Sequence, residues 1–246
     1  MDLEFSIAIL GVFLLAGIVK GVVGLGLPTV SLALLAVAYD LPTAMALLIA
    51  PSLVTNVSQA LSGGHALPII ARIWPFLVMA GATVWIGSMA LDLVDLEVLT
   101  AMLGVLLVIY ALINMAGFRL RVPPHRETAT GIAAGLVNGV LTGMTGSFAV
   151  PGVTYLQAIG LPRDMLIQAM GLLFAISTLG LGAALFDTPY MNATLAIASV
   201  IAVIPALIGM WLGQRLRRSL SEAGFRRYFF AALLLLGLYI IYGAIS

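Results

Sequence analysis

Six stretches of this chain, residues 41–61, 73–91, 98–118, 165–186, 188–214 and 228–246, run for about twenty residues or more without a charged side chain. That feature leaves few folds open. A helix of about 20 apolar residues covers the ~30 Å hydrocarbon core of a bilayer. In lipid every backbone N–H and C=O must find its partner within the protein, so such segments span as helices. Composition agrees, since 62% of the 246 residues are hydrophobic and only 9% are charged. A soluble domain of this length could not hide so much apolar surface. The expected class is an all-α polytopic membrane protein.

Two further segments break the pattern. Residues 5–39 are interrupted by Lys20, Gly21, Gly24, Gly26 and Pro28, and residues 128–162 by Gly139, Gly143, Gly146, Pro151 and Gly152. Each would measure roughly 50 Å as one helix, too long for an upright span and short for two spans with a turn. Each is either a single tilted, interrupted span or a re-entrant hairpin that enters the membrane and leaves by the same face. Charge arbitrates, because cytoplasmic loops collect Lys and Arg. Single spans would set Arg119, Arg121 and Arg126 opposite Arg215, Arg217, Arg218, Arg226 and Arg227. Hairpins gather both groups on one face with Arg72 and Arg163. They leave Asp2, Glu4, Asp40, Asp92, Asp95, Glu97 and Asp187 on the other. The hairpin reading is therefore preferred, with the basic face cytoplasmic in a bacterial inner membrane and both termini outside. Met1-Asp2-Leu3-Glu4 is acidic where a cleavable signal peptide needs basic residues, so the first apolar segment is expected to be retained.

The chain also repeats itself. Ala16-Gly17-Ile18-Val19-Lys20-Gly21-Val22 matches Ala134-Gly135-Leu136-Val137-Asn138-Gly139-Val140, and Leu41-Pro42-Thr43-Ala44-Met45 matches Leu161-Pro162-Arg163-Asp164-Met165. Residues 1–118 and 128–246 then form two halves, each a broken helical hairpin plus three transmembrane helices, joined by a cytoplasmic linker at 119–127 containing Pro123-Pro124. Three spans is an odd number, so the second half starts from the opposite face and the repeats are inverted, a plan used by secondary transporters.

In such proteins the substrate sits near the midplane, where helices break. The glycine-rich tips, residues 20–28 and 138–151, are expected to meet there. Their chemistry suits an anion. Gly21, Gly24, Gly26, Gly139, Gly143 and Gly146 leave backbone N–H groups accessible. A helix restarting at Pro28 offers a positive N-terminus. Thr29, Thr142, Thr145 and Ser147 bring hydroxyl donors, and Asn138 an amide. Asn56 and Gln59 on the first full span, and Gln168 on its counterpart, complete the candidate site. Each of these three is also suited to a plain interhelical hydrogen bond.

Lys20 carries the most weight. It is the chain's one lysine and lies deep in an apolar segment, where a charge is a functional hypothesis by default. Snorkelling to an interface is the bland alternative, but Lys20 lies about 22 Å along a helix from Phe5. The pairs Gly17-x-x-x-Gly21 and Gly135-x-x-x-Gly139 also fit close helix packing, and that reading stays open beside the binding one.

Several chemistries are excluded or lack a seat. Without cysteine there is no disulfide or thiolate site. His65 and His125 stand alone near loops, and no paired metal ligands or nucleotide motif occur. No carboxylate lies deep in a span to serve a proton relay. No cofactor, metal, catalytic residue or nucleic acid is expected. The partners are a small anionic solute and the lipid bilayer, with a homo-oligomer left open.

On these motifs the chain resembles the sulfite exporter TauE/SafE family of membrane transporters. The matching stretches are Gly17-Ile18-Val19-Lys20-Gly21-Val22-Val23-Gly24-Leu25-Gly26-Leu27-Pro28 and Gly135-Leu136-Val137-Asn138-Gly139-Val140-Leu141-Thr142-Gly143-Met144-Thr145-Gly146-Ser147. The first lacks the run of consecutive glycines often seen in the family. The resemblance implies movement of sulfite, organosulfonates or other sulfur-containing anions. The expected function is a secondary carrier working by alternating access. The alternatives are an anion channel of the same architecture, a membrane-embedded enzyme, or an accessory subunit.

Overall fold

A computed structural model describes residues 3–117, 120–186, 188–217 and 222–245. Asp2, Arg119, Asp187 and Arg218, four of the charges in the predicted partition, lie outside the described residues. Among the described residues the chain is helical, with no strand. The first half comprises α1 (Leu3–Val23), α2 (Leu27–Ala38), α3 (Leu41–Leu61), α4 (Ala66–Ala82), α5 (Val84–Ser88), α6 (Ala90–Leu93) and α7 (Leu96–Met115). The second comprises α8 (Glu127–Thr145), α9 (Gly152–Ala158), α10 (Arg163–Leu185), α11 (Ala193–Leu216) and α12 (Glu222–Ile245). Seven helices are long and apolar enough to cross a membrane: α1, α3, the α4–α6 rod, α7, α10, α11 and α12. Every uninterrupted stretch seen in the sequence is among them, and this is a multi-pass helical membrane protein.

Local chemistry sets the boundaries. Asp40 caps α3, its carboxylate accepting from Thr43 N at 2.7 Å and Thr43 Oγ1 at 2.9 Å. Asn192 caps α11 in the same way, accepting from Leu195 N at 2.9 Å. Helix α4 starts at Ala66, a full two turns before the predicted 73, and bends at Ile73, two residues ahead of Pro75. Pro51, inside α3, lacks the N–H that would bond the Leu47 carbonyl. Ser199 of α11 supplies the missing donor at 2.9 Å and accepts from Ala50 N at 3.0 Å. The helix therefore keeps its course at a position that would otherwise leave a buried carbonyl unpaired.

Both interrupted segments are hairpins whose chain returns to its starting level. In the first, the rings of Phe5 and Tyr39, at opposite ends of the α1–α2 pair, lie 4.8 Å apart edge to face. In the second, Tyr155 of α9 donates to the Glu127 carbonyl at the start of α8. A single continuous span would hold these ends far apart. The outgoing limbs are long, 21 residues in α1 and 19 in α8, and the return limbs short, 12 in α2 and 7 in α9.

The main helix pairs correspond when residues 1–118 and 128–246 are exchanged. Helix α1 lies along α11, and α8 along the α4–α5 rod; α3 crosses α10, and α7 pairs with α12. Glycine makes the first two contacts close. A Cβ on Gly17 or Gly21 would strike the α11 backbone around Ala206 and Met210. One on Gly135, Gly139 or Gly143 would strike Phe76, Thr83 and Val84. Each pair is parallel, and neither tolerates a side chain at the seam.

Helices α3 and α10 run antiparallel through the centre, with Gly171 against Ala60 and Gly182 beside Ile49. That register sets Thr55 and Asn56 level with Ala175, Ile176 and Ser177. The charged groups divide between two ends. Arg72 grips the Glu127 carboxylate and the Ile159 carbonyl at one end. At the other end Tyr190 bonds the Leu91 carbonyl and Asp92. Glu127 thus sits at the basic end as Arg72's partner.

Candidate functional site

Lys20 lies in the last turn of α1 and is 3% exposed. It does not snorkel. Its ammonium donates to Thr55 Oγ1 at 3.2 Å and to Asn56 Oδ1 in a closer contact, both on α3. Thr55 in turn donates to the Pro51 carbonyl at 2.8 Å. Both acceptors of the ammonium are neutral. The ion pair formed among the described residues is Arg72–Glu127, at the basic end. A buried ammonium thus stands against the middle turns of α3 with no carboxylate beside it among the described residues.

Unpaired polar atoms lie beside it on α3 and elsewhere in the core. Asn56 Nδ2, Ser52 Oγ and Ser177 Oγ are buried without hydrogen-bond partners, and so is Asn138 Nδ2 on α8. Ser52, Thr55 and Asn56 share one face of α3 at i, i+3 and i+4. Ser177, on α10, lies one turn from Leu173 and Gly180, which pack on Gly152 and on Gly81 and Val84. An orphan polar atom in a sealed core costs about 1–3 kcal/mol, so the two on α3 call for an explanation. Thr55 and Ser52 were not among the candidates read from sequence. The helical spacing of the three α3 residues was the signal available.

Asn138 occupies the repeat position of Lys20 and behaves differently. Its Oδ1 accepts from Gly152 N at 2.9 Å, tying α8 to the start of α9. Thr142 donates to the Ser147 carbonyl at 2.9 Å, while Thr145 donates to Leu141 and accepts weakly from Ser147 N. Gly146 ends α8 at φ +71°, a left-handed cap that glycine adopts without strain. Thr142, Thr145, Gly146 and Ser147 therefore brace their own turn.

The first tip is braced from outside. Gln59 donates to the Gly24 carbonyl at 3.1 Å and to the Ile167 carbonyl at 2.7 Å, pinning the tip to α10. Gly26 carries φ +110° before Leu27, and Pro28 and Thr29 lie buried in the first turn of α2. Gln168 is a brace between halves, donating to the Ala60 carbonyl at 2.7 Å and accepting from His65 N at 3.0 Å.

Two expectations need correction. The tips do not meet. Gly24 lies by Gln59 and Ile167, whereas Gly146 lies by Met45 and Leu32. Met45 and Gln59 are four turns apart on α3, about 20 Å along its axis. The outgoing limbs α1 and α8 are each nearly a full span long, so they carry the two breaks past one another. And Gly21, Gly139 and Gly143 line helix seams, with neighbouring helices covering the face where a ligand would approach.

A family model described as Sulfite exporter TauE/SafE matches residues 9–240. The chain belongs to this family. No curated protein and no solved structure matches it. TauE/SafE is a family of membrane transporters, and membership implies transport of sulfite or a related anion.

Proposed function

We propose that this TauE/SafE protein is a secondary carrier that moves a small sulfur oxyanion or organosulfonate by alternating access around Lys20. One observation carries the reading: a fully buried ammonium held by neutral oxygens alone. A charge removed from water needs a counter-charge, and a mobile anion supplies it. An ammonium has three protons to donate; Thr55 and Asn56 take two, leaving one for an oxyanion. Asn56 Nδ2 and Ser52 Oγ offer further donors on the same face of α3, and together they suit the several oxygens around one sulfur.

The exchange symmetry of the packing supports two inverted halves with the site at the bilayer midplane. Burial of Lys20 from both ends favours a carrier over an open channel. The arginine-rich end is assigned to the cytoplasm of a bacterial inner membrane. Transport then consists of loosening one hairpin at a time, so that the site opens to one end and then the other.

The deciding experiment is uptake into proteoliposomes of sulfite, thiosulfate, sulfoacetate, phosphate and acetate. Sulfur oxyanions are expected to lead. Preference for a neutral or cationic solute overturns the assignment. The chain has no cysteine, so single cysteines at Gly64 and Asp95 report sidedness. An impermeant maleimide is expected to reach them from opposite faces, Gly64 from the cytoplasm.

A further inference from the structure

Beyond the central site, the basic end contains a small cavity of about 80 Å³ beside the first hairpin's tip. Val23 and Leu25 of the tip form one wall, and Ile167 another. Its polar lining is Gln157 from α9, Arg163 from α10 and Arg226 from α12. No carboxylate is among its described lining residues. Arg226 also borders a wider cavity of about 510 Å³ at the protein surface, together with Arg227 and Asn114. The two cavities therefore adjoin at one guanidinium. The inner one would hold two or three waters, by the ~30 Å³ that each occupies, and so has room for one small oxyanion.

What lies behind the wall gives the cavity a use. Gly24 N donates to the Lys20 carbonyl at 2.7 Å, so the tip residues lining the cavity begin one turn after Lys20. The Gln59 amide holds that wall shut by bonding both Gly24 and Ile167. The side chains of Gln157, Arg163 and Arg226 are exposed; clustered cations raise the local concentration of anions, and guanidinium donors match oxyanion geometry.

We propose that this cavity is a second anion site, a vestibule in which Arg163, Arg226 and Gln157 receive a small sulfur oxyanion before it passes the first hairpin's tip. Its role as a station toward Lys20 rests on the carrier reading above; its capacity to bind does not. Two measurements separate them, both with full-length protein and sulfite.

In vesicles of known orientation, Arg163→Gln and Arg226→Gln are expected to raise the KM for sulfite offered at the basic end about tenfold, and to flatten its dependence on ionic strength. The KM from the acidic end stays as in the parent protein, and Arg226→Lys restores most of the loss. By calorimetry in detergent, the Lys20→Gln protein still binds sulfite, and adding Arg226→Gln removes that binding. An unchanged KM at the basic end, or an equal rise at both ends, overturns the vestibule while leaving the Lys20 site standing. Normal sulfite transport by Lys20→Gln overturns the central site, and the one-sided KM effect still decides the vestibule. Absence of sulfite binding in both the parent and Lys20→Gln proteins sinks both.

Discussion

The two hairpins begin from nearly the same sequence and use it in opposite ways. At the matched position, Lys20 reaches out of its hairpin to α3, whereas Asn138 turns inward to hold its own return limb through Gly152. The first tip is pinned from outside by Gln59; the second braces itself through Thr142, Thr145 and Ser147. One hairpin thus brings a charge and depends on its neighbours for position. The other brings a neutral amide and a self-contained turn. Two segments of matching sequence can therefore share a hairpin form while only one of them carries a charge. An anion needs one strong positive centre, and a second buried ammonium close by would cost several kcal/mol of desolvation and repulsion.

The largest test erases the difference. Lys20→Asn makes the first hairpin resemble the second, and anion uptake in proteoliposomes is expected to fall roughly 100-fold, as when one partner of a buried charge pair is removed. The protein should melt at the same temperature or higher, because an uncompensated buried charge is gone. Parent-level uptake by this variant would remove Lys20 from the mechanism. Asn138→Ala probes the inward-turning partner. It leaves Gly152 N buried without an acceptor and is expected to destabilise the protein by about 1–3 kcal/mol, read by thermal unfolding in detergent. Equal stability would show that the second hairpin does not rely on that amide.

Gln59→Leu sharpens the contrast between outside and inside bracing. Two carbonyls lose their shared donor, at a cost of about 1–2 kcal/mol. The freed tip should let a cysteine at Val23 react several-fold faster with a maleimide, by analogy with other local openings. Unchanged labelling would mean that side-chain packing, not Gln59, holds the tip. The smallest effect is expected from Arg72→Gln at the mouth of the second hairpin. The pair is partly exposed, at 39% for Arg72 and 14% for Glu127, so its loss should cost about 0.2–1 kcal/mol and shrink further in high salt.

Much of this could be read before any coordinates. Hydropathy located every long helix, because lipid admits little else at that length. The charge partition selected hairpins, and Phe5–Tyr39 and Tyr155–Glu127 show the chain returning. Lys20 stood out as a lone charge. The site around it was less legible. Thr55 looked like any polar residue in a span until its oxygen was found beside the ammonium. Gln59 and Gln168 are the same residue type in apolar helices, the first part-buried and the second buried. Yet one pins a tip and the other joins α10 to the loop after α3. Side-chain type states what a group can bond, not which neighbour arrives.

The sequence by itself determined the helical class, the returning hairpins and the family, since apolar length, charge sidedness and motif pairing are local or additive properties. Only the tertiary structure decided which glycines serve seams, how far apart the two tips stand, and that Lys20 is left with neutral partners. Those outcomes depend on the register of α3 against α10 and of α1 against α11. Register is a property of two surfaces in contact, set by packing between segments that are remote along the chain.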